Sequence, residues 1–181
     1  MRAEALWKRI DVPGHDAALL EEDHDGHRLT GTAIFQHEGR PACLNYAVDI
    51  EPGWTTRRGW VTGFVAGERV DVTIERRNDG WYLNGEPQGL GHLVDLDYGF
   101  TPATNLQQIQ RLQLSAGERA DNAVAWFDVG STKLIELPQV YQKADDFTYP
   151  YEGPMFGYKA VLKLDASGFA RDYPELWTME T

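Results

Sequence analysis

Apolar and polar residues alternate along most of this chain with a period of two. Leu44, Tyr46, Val48 and Ile50 fall on one side of their run; Cys43, Asn45, Ala47 and Asp49 fall on the other. Val70, Val72 and Ile74 oppose Asp71, Thr73 and Glu75 in the same way. Ala123, Ala125, Phe127 and Val129 oppose Val124 and Trp126. Successive side chains of a strand point to opposite faces, so the pattern predicts strands packed on one face. Turn residues punctuate the first half of the chain at intervals of about 8–12 residues. They include Pro13-Gly14, Asp25-Gly26, Pro52-Gly53, Asn78-Asp79-Gly80 and Asn84-Gly85. Asn-Gly is the strongest two-residue hairpin signal among them, because both residues tolerate positive φ. The first 90 residues therefore read as an antiparallel meander, with a hairpin over 29–50. Residues 16–22 fit either a strand or a short helical turn.

Strands are also expected over 122–129, over 133–142 and around Phe147, Tyr149 and Tyr151. Pro138 marks an edge, bulge or bend. A long strand is expected through Phe156, Tyr158, Ala160, Leu162 and Leu164, and Phe169 to Tyr173 pairs back before Pro174 ends the run. No 3.6-residue period persists beyond two turns. About ten to fourteen strands with little helix predict an all-β fold, organised as a single β domain over 1–181. A long antiparallel meander forms a strongly curved sheet or open β-barrel, because strand twist accumulates and exposed edges are a liability. Such a shape has a concave cavity able to hold one ligand. A sandwich with a dry core is the alternative.

Residues 91–114 carry the densest polar chemistry. Val94 and Leu96 alternate with Asp95 and Asp97, and Leu112 and Leu114 alternate with Arg111 and Gln113. This predicts two strand ends joined by the turn-rich connection 99–105, with room for a helical turn at the start of 107–114. Asp95 and Asp97, about 6.5–7 Å apart along a strand, could serve as the carboxylate pair of glycoside hydrolysis. Alternatively, one of them pairs with the planar fork of Arg111, or Arg111 and Asn105 face a polar headgroup. Arg57 and Arg58, flanked by Trp54 and Trp60, suggest the rim of a site for sugars or acyl chains; the tryptophans could equally be core.

Composition removes several partners. A net charge of −11 over 181 residues disfavours nucleic acid and anionic membrane surfaces. One cysteine, Cys43, excludes an internal disulfide and suits a reducing compartment. No apolar run has signal-peptide or membrane-span length, so a soluble cytoplasmic protein is expected. His24 and His27 lie among carboxylates but lack the further nearby ligands of a zinc site, so no metal is expected. Neither a phosphate-cradling glycine loop nor a dinucleotide fingerprint is present, and no cofactor is expected.

Longer stretches carry a resemblance. They include Trp7 with Arg9 to Gly14, Leu29-Thr30-Gly31, Tyr46 to Asp49, Trp54 to Arg57, and Asp79-Gly80-Trp81 with Asn84-Gly85. The most specific block is Asp95-Leu96-Asp97 with Phe100 to Asn105 and Ile109 to Leu112. Ala125-Trp126, Pro138 to Tyr141, Tyr149 to Tyr151, Leu164-Asp165 and Tyr173-Pro174 complete it. On these residues the chain resembles the bacterial "putative glycolipid-binding" family, a former domain of unknown function, over nearly its full length. It departs from the usual pattern at Gln108 and Gln110, where a proline and an arginine are more common. The resemblance implies a curved antiparallel sheet similar to lipoprotein carriers, a hydrophobic cavity and a glycolipid ligand. The expectation is then a non-catalytic protein that binds a glycolipid or other amphipathic molecule. Its candidate ligand-binding residues are Trp54, Arg57, Trp60, Asp95, Asp97, Asn105, Arg111, Trp126 and Tyr141. An enzyme on sugar-containing substrates, with Asp95 and Asp97 as acid and base, and an interaction module without a small ligand are the alternatives.

Overall fold

The computed structural model describes residues 2–180, apart from the side chain of Asp23. Eight strands make up the first half: β1 Arg2–Arg9, β2 Gly14–Asp23, β3 Gly26–His37, β4 Arg40–Ile50, β5 Thr56–Val65, β6 Glu68–Arg77, β7 Gly80–Leu83 and β8 Glu86–Gly89. β9 Leu96–Tyr98 and a helix, α1 Asn105–Leu112, follow. The chain then continues with β10 Arg119–Phe127, β11 Ile135–Gln142, β12 Thr148–Gly153, a 3₁₀ turn Pro154–Phe156, β13 Tyr158–Leu164, β14 Ala170–Tyr173 and β15 Trp177–Met179.

All fifteen strands belong to one sheet, in the order β8-β7-β6-β5-β4-β3-β2-β1-β15-β14-β13-β12-β11-β10-β9. It is the expected curved meander, and β8 and β9 remain its free ends, so the barrel does not close. Sequence neighbours pair antiparallel through hairpins, as between β3 and β4 or β4 and β5. Pairing of β1 with β15 joins the two ends of the chain. β9 lies parallel to β10, because α1 intervenes between them and carries the chain back.

Residues 16–22 take the strand option, as part of β2. Three local expectations change. The arm around Arg111 and Leu112 is not a strand but α1, whose buried Leu106 and Ile109 repeat at helical spacing. Phe156 sits in the 3₁₀ turn before β13 rather than in that strand. The chain also re-enters the sheet after Pro174 as β15, which three residues of pattern could not announce. Pro138 fits as expected: it meets Ala123 of β10, while the recorded β11–β12 register covers only Val140 and Tyr141.

The core fills the concave side with Trp7, Trp81, Tyr98, Tyr141, Phe100 and Phe169, each under 2% exposed. Two buried indoles find partners: that of Trp7 donates to Ala170 O at 2.6 Å and that of Trp81 to Leu93 O at 3.0 Å. β9 crosses this concave side. Leu96 and Tyr98 press on Gly59 of β5, where an added Cβ would meet the Tyr98 hydroxyl at 2.3 Å. The same hydroxyl donates to Ala47 O at 3.2 Å. The Thr56 backbone N–H donates to Val94 O at 2.9 Å, which anchors β9 near β5. With β5 against one face and α1 against the other, Asp95 and Asp97 are both buried. The half-exposed strand expected for them is therefore corrected: apolar–polar alternation here separates two interior surfaces, not core from solvent.

Candidate functional site

Three buried carboxylates organise the polar interior. Asp95, fully buried, accepts from Arg111 Nε at 2.8 Å and from Arg111 Nη2 at 2.7 Å. Gln107 and Asn122 each add a longer contact at 3.3 Å. Arg111 Nη2 also donates to Asn122 Oδ1 at 2.7 Å, and Gln107 Nε2 to Thr56 Oγ1 at 2.6 Å. This network ties β9 to α1, β10 and β5. Of the two aspartates expected as partners for Arg111, Asp95 is the one it pairs with, and the bonding is directed inward.

Asp97 meets the other end of α1. Its Oδ1 accepts from Thr104 Oγ1 at 2.5 Å and its Oδ2 from Gln139 Nε2 at 2.8 Å. Thr104 is the helix N-cap but makes no side-chain cap bond, because its hydroxyl serves Asp97. Gln139 Oε1 accepts from the Tyr141 hydroxyl at 3.3 Å, and that hydroxyl accepts from Asn105 Nδ2 at 2.8 Å. Three candidates that are far apart in sequence, Asp97, Asn105 and Tyr141, thus share one chain of hydrogen bonds. Burial pushes the Asp97 carboxyl up to about 6, against the opposing hydrogen bonds from Thr104 and Gln139.

The third carboxylate, Asp16 of β2, has no counterpart among the sequence candidates. It is 2% exposed and accepts from the Tyr46 hydroxyl at 3.0 Å and from Thr101 Oγ1. Desolvation raises it to about 7. This bond ties the 99–104 connection to β2.

Asp97, Thr101 and Asn105 open onto a pocket of about 290 Å³. Its walls are aromatic: Trp126 of β10, Tyr151 of β12, Tyr158 of β13, Tyr173 of β14 and Trp177 of β15, with Phe156 at the lip. Tyr151, Tyr158 and Tyr173 lie 5.8–6.1 Å apart by ring centroid, and Trp177 meets Tyr173 edge-on at 5.4 Å. Phe156, 60% exposed, leans on Trp126 at 5.5 Å. Asp128 contributes a second carboxyl, also raised by desolvation. Gly99 leaves the space open, since a Cβ there would come within 2.7 Å of Asp128 Cγ and of Trp126 Cζ2. Aromatic faces beside a few converging polar groups suit the alternately apolar and hydroxylated surface of a sugar. The volume suits a headgroup; most of the concave interior is occupied by β9, α1 and the aromatic core.

The remaining candidates lie elsewhere. Trp54, in a turn at φ +66°, stacks on His27 with centroids 3.9 Å apart. Trp60 lies on the opposite face of the sheet from the pocket, with the Arg28 guanidinium 4.8 Å from its ring centroid. Arg57, exposed at a register shift between β4 and β5, borders a polar hollow with Arg28, Asp49 and Arg58. A larger but shallow trough, about 690 Å³, runs beside Trp60 over small side chains such as Ala17, Thr30 and Ala47. The rim expected from Trp54, Arg57 and Trp60 is therefore separate from the pocket. The pocket's own aromatics follow a visible signal, the alternation of Tyr149 with Tyr151 and the nearby Tyr158 and Tyr173. The same alternation marks any half-buried strand, so by itself it does not single out a site.

No helix among the described residues is long and apolar enough to cross a membrane. Residues 4–179 match the family described as "putative glycolipid-binding". A crystal structure of a DUF1089 family protein from Pseudomonas aeruginosa is similar in fold, with a TM-score of 0.78 and 25% sequence identity. The match covers 90% of this chain and 91% of that one. No curated protein matches.

Proposed function

This chain belongs to the family described as "putative glycolipid-binding", and on that premise we propose that it binds the sugar headgroup of an amphipathic glycolipid without chemical turnover. The observation that carries the reading is the aromatic pocket, where seven aromatic side chains, Tyr98 and Phe156 among them, line the space with Asp97, Thr101 and Asn105. Sugar rings stack on aromatic faces through their C–H groups, and their hydroxyls donate to the Asp97 carboxylate of the polar floor. An apolar tail leaves across Phe156 and Met155, which are 60% and 48% exposed. Asp97, Asn105 and Trp126 line this site, and Tyr141 supports Asn105 from behind.

The acid–base alternative loses its pair. Asp97 borders the pocket, but Asp95 is fully buried and held by both nitrogens of the Arg111 fork. A carboxylate so held is positioned to organise the interior rather than to move protons on a substrate.

Calorimetric titration with octyl β-glucoside below its micelle concentration tests the proposal. Saturable binding is expected in the unmodified protein, weakened at least tenfold by Trp126→Ala and by Tyr158→Ala. Absence of saturable binding to short-chain glucosides, galactosides and maltosides alike sinks it.

A further inference from the structure

The pocket's charge balance narrows the class of headgroup, given the reading above that it holds a sugar. We infer that this pocket takes an uncharged, hydroxyl- and carbonyl-bearing headgroup and rejects an anionic one such as a uronate or a phosphate. Three observations lead there.

First, among the described residues the only charged side chains lining the pocket are two carboxyls, Asp97 and Asp128. No lysine or arginine lines it. Anionic headgroups are normally held by guanidinium or ammonium groups with several directed donors, and here they would meet like charge instead.

Second, the arginines close to these groups already carry carboxylate partners and do not line the pocket. Arg9 lies against Trp177, its guanidinium 5.3 Å from that ring's centroid and 4.7 Å from that of Phe35. Its Nε and Nη2 are given to Asp11, at 2.8 and 3.0 Å, while Nη1 is buried without a hydrogen-bond partner among the described residues. Asp16 and Asp128 both feel its field as well, so one positive charge serves three carboxyls. Arg111 is held by Asp95.

Third, one residue of the pocket wall carries a buried donor without an acceptor. Trp177 is 5% exposed, and its indole N–H has no hydrogen-bond partner among the described residues. A buried donor left without an acceptor is destabilising. With a small shift of the ring, a ligand hydroxyl, ether or amide carbonyl oxygen supplies that acceptor without adding negative charge beside Asp97 and Asp128. The two carboxyls in turn accept from sugar hydroxyls.

The groups around these carboxyls set how the selectivity changes with pH. Asp97 faces Asp95, Tyr141, Tyr151 and Tyr173, none of them cationic. Asp128 faces Arg9 and His37. Both carboxyls are raised by desolvation, Asp97 to about 6. Rejection of an anion is therefore strongest above pH 7 and relaxes near pH 5, where Asp97 is protonated and a sugar carboxylate remains largely ionised.

A matched pair of probes tests this: octyl β-glucoside and octyl β-glucuronide, which share tail and ring and differ by one carboxylate. The glucoside is expected to bind at least tenfold more tightly at pH 7.5, with the ratio narrowing at pH 5.0 in the unmodified protein. Asp128→Asn is expected to narrow the ratio at pH 7.5. Trp177→Phe, which keeps the ring and removes the N–H, is expected to weaken the glucoside several-fold. Equal or tighter binding of the glucuronide at pH 7.5 overturns the inference while leaving the sugar-binding proposal intact. A ratio that does not change between pH 7.5 and 5.0 overturns it equally, and needs no variant to fold. Binding of neither probe overturns the inference, and overturns the sugar-binding proposal as well when short-chain galactosides and maltosides also fail to bind.

Discussion

Replacing Arg111 by methionine should unfold this protein far more readily while leaving the pocket's chemistry in place. Asp95 is fully buried, and the two shortest bonds it accepts come from Arg111, at 2.7 and 2.8 Å. Its other donors, Gln107 and Asn122, stand at 3.3 Å. Methionine fills similar volume but leaves the carboxylate in a low-dielectric site with two long hydrogen bonds. Removing one partner of a buried ion pair costs about 3–5 kcal/mol, mostly from the uncompensated charge. The Arg111 side chain is 22% exposed, so water reaches part of the vacated space and the lower end, about 3 kcal/mol, is the better estimate. For a chain of this length, each kcal/mol moves the melting temperature by about 2–4 °C, giving a drop of roughly 6–12 °C. Urea unfolding at pH 7.5 measures the change directly. Asp95→Asn combined with Arg111→Met should recover part of the loss, because the buried charge is then gone. A single-variant loss below about 1 kcal/mol, or no recovery in the double variant, refutes the claim that this pair organises the interior.

The same reasoning gives three further expectations. Asp16, raised to about 7 by desolvation, binds its proton more tightly folded than unfolded. Its contribution is therefore fully present below about pH 4 and lost as pH rises to 7, by an amount on the order of 4 kcal/mol. Urea unfolding at pH 4.5, 6 and 7.5 should show stability falling through that window, and Asp16→Asn should flatten the slope. Gly99→Ala places a methyl 2.7 Å from Asp128 Cγ and Trp126 Cζ2; about 1–3 kcal/mol of destabilisation is expected, with loss of glucoside binding in calorimetry. Trp60→Ala, on the opposite face of the sheet, should leave the glucoside affinity within about twofold, and a larger change would move the site to that face.

Some of this was legible in the chain. The hairpin of β3 and β4 follows from alternation on both sides of Glu38-Gly39, and its register holds continuously from His27 opposite Ile50 to His37 opposite Arg40. The Asp95–Arg111 pair was also readable, because a carboxylate and a guanidinium among apolar neighbours need each other wherever they are buried. The helix was not. Residues 105–112 span only eight positions, too few for an isolated helix to persist. The helix is held instead by Leu106 and Ile109 in the core and by Thr104 and Arg111 on the two aspartates of the β9 segment. Asp16 was missed because its neighbours Ala17 to Leu20 mark a strand but not which side of Asp16 faces inward.

The sequence alone determined an all-β meander and the hairpins of its first half, because those depend on short-range periodicity and turn chemistry. It also carried the family likeness and placed Asp97, Asn105 and Trp126 among the candidates. Only the tertiary structure decided that β9 is buried on both faces, that Asp95 is committed to Arg111, and that Trp54, Arg57 and Trp60 stand apart from the pocket. The pocket gathers Asp97, Trp126, Tyr151, Tyr158, Tyr173 and Trp177 from β9 and from strands that span the last third of the chain. Alternation fixes which residues share a face of one strand, but the curl of the sheet sets which strands face one another across the interior. That curl comes from twist accumulated over fifteen strands, which no local stretch of sequence records.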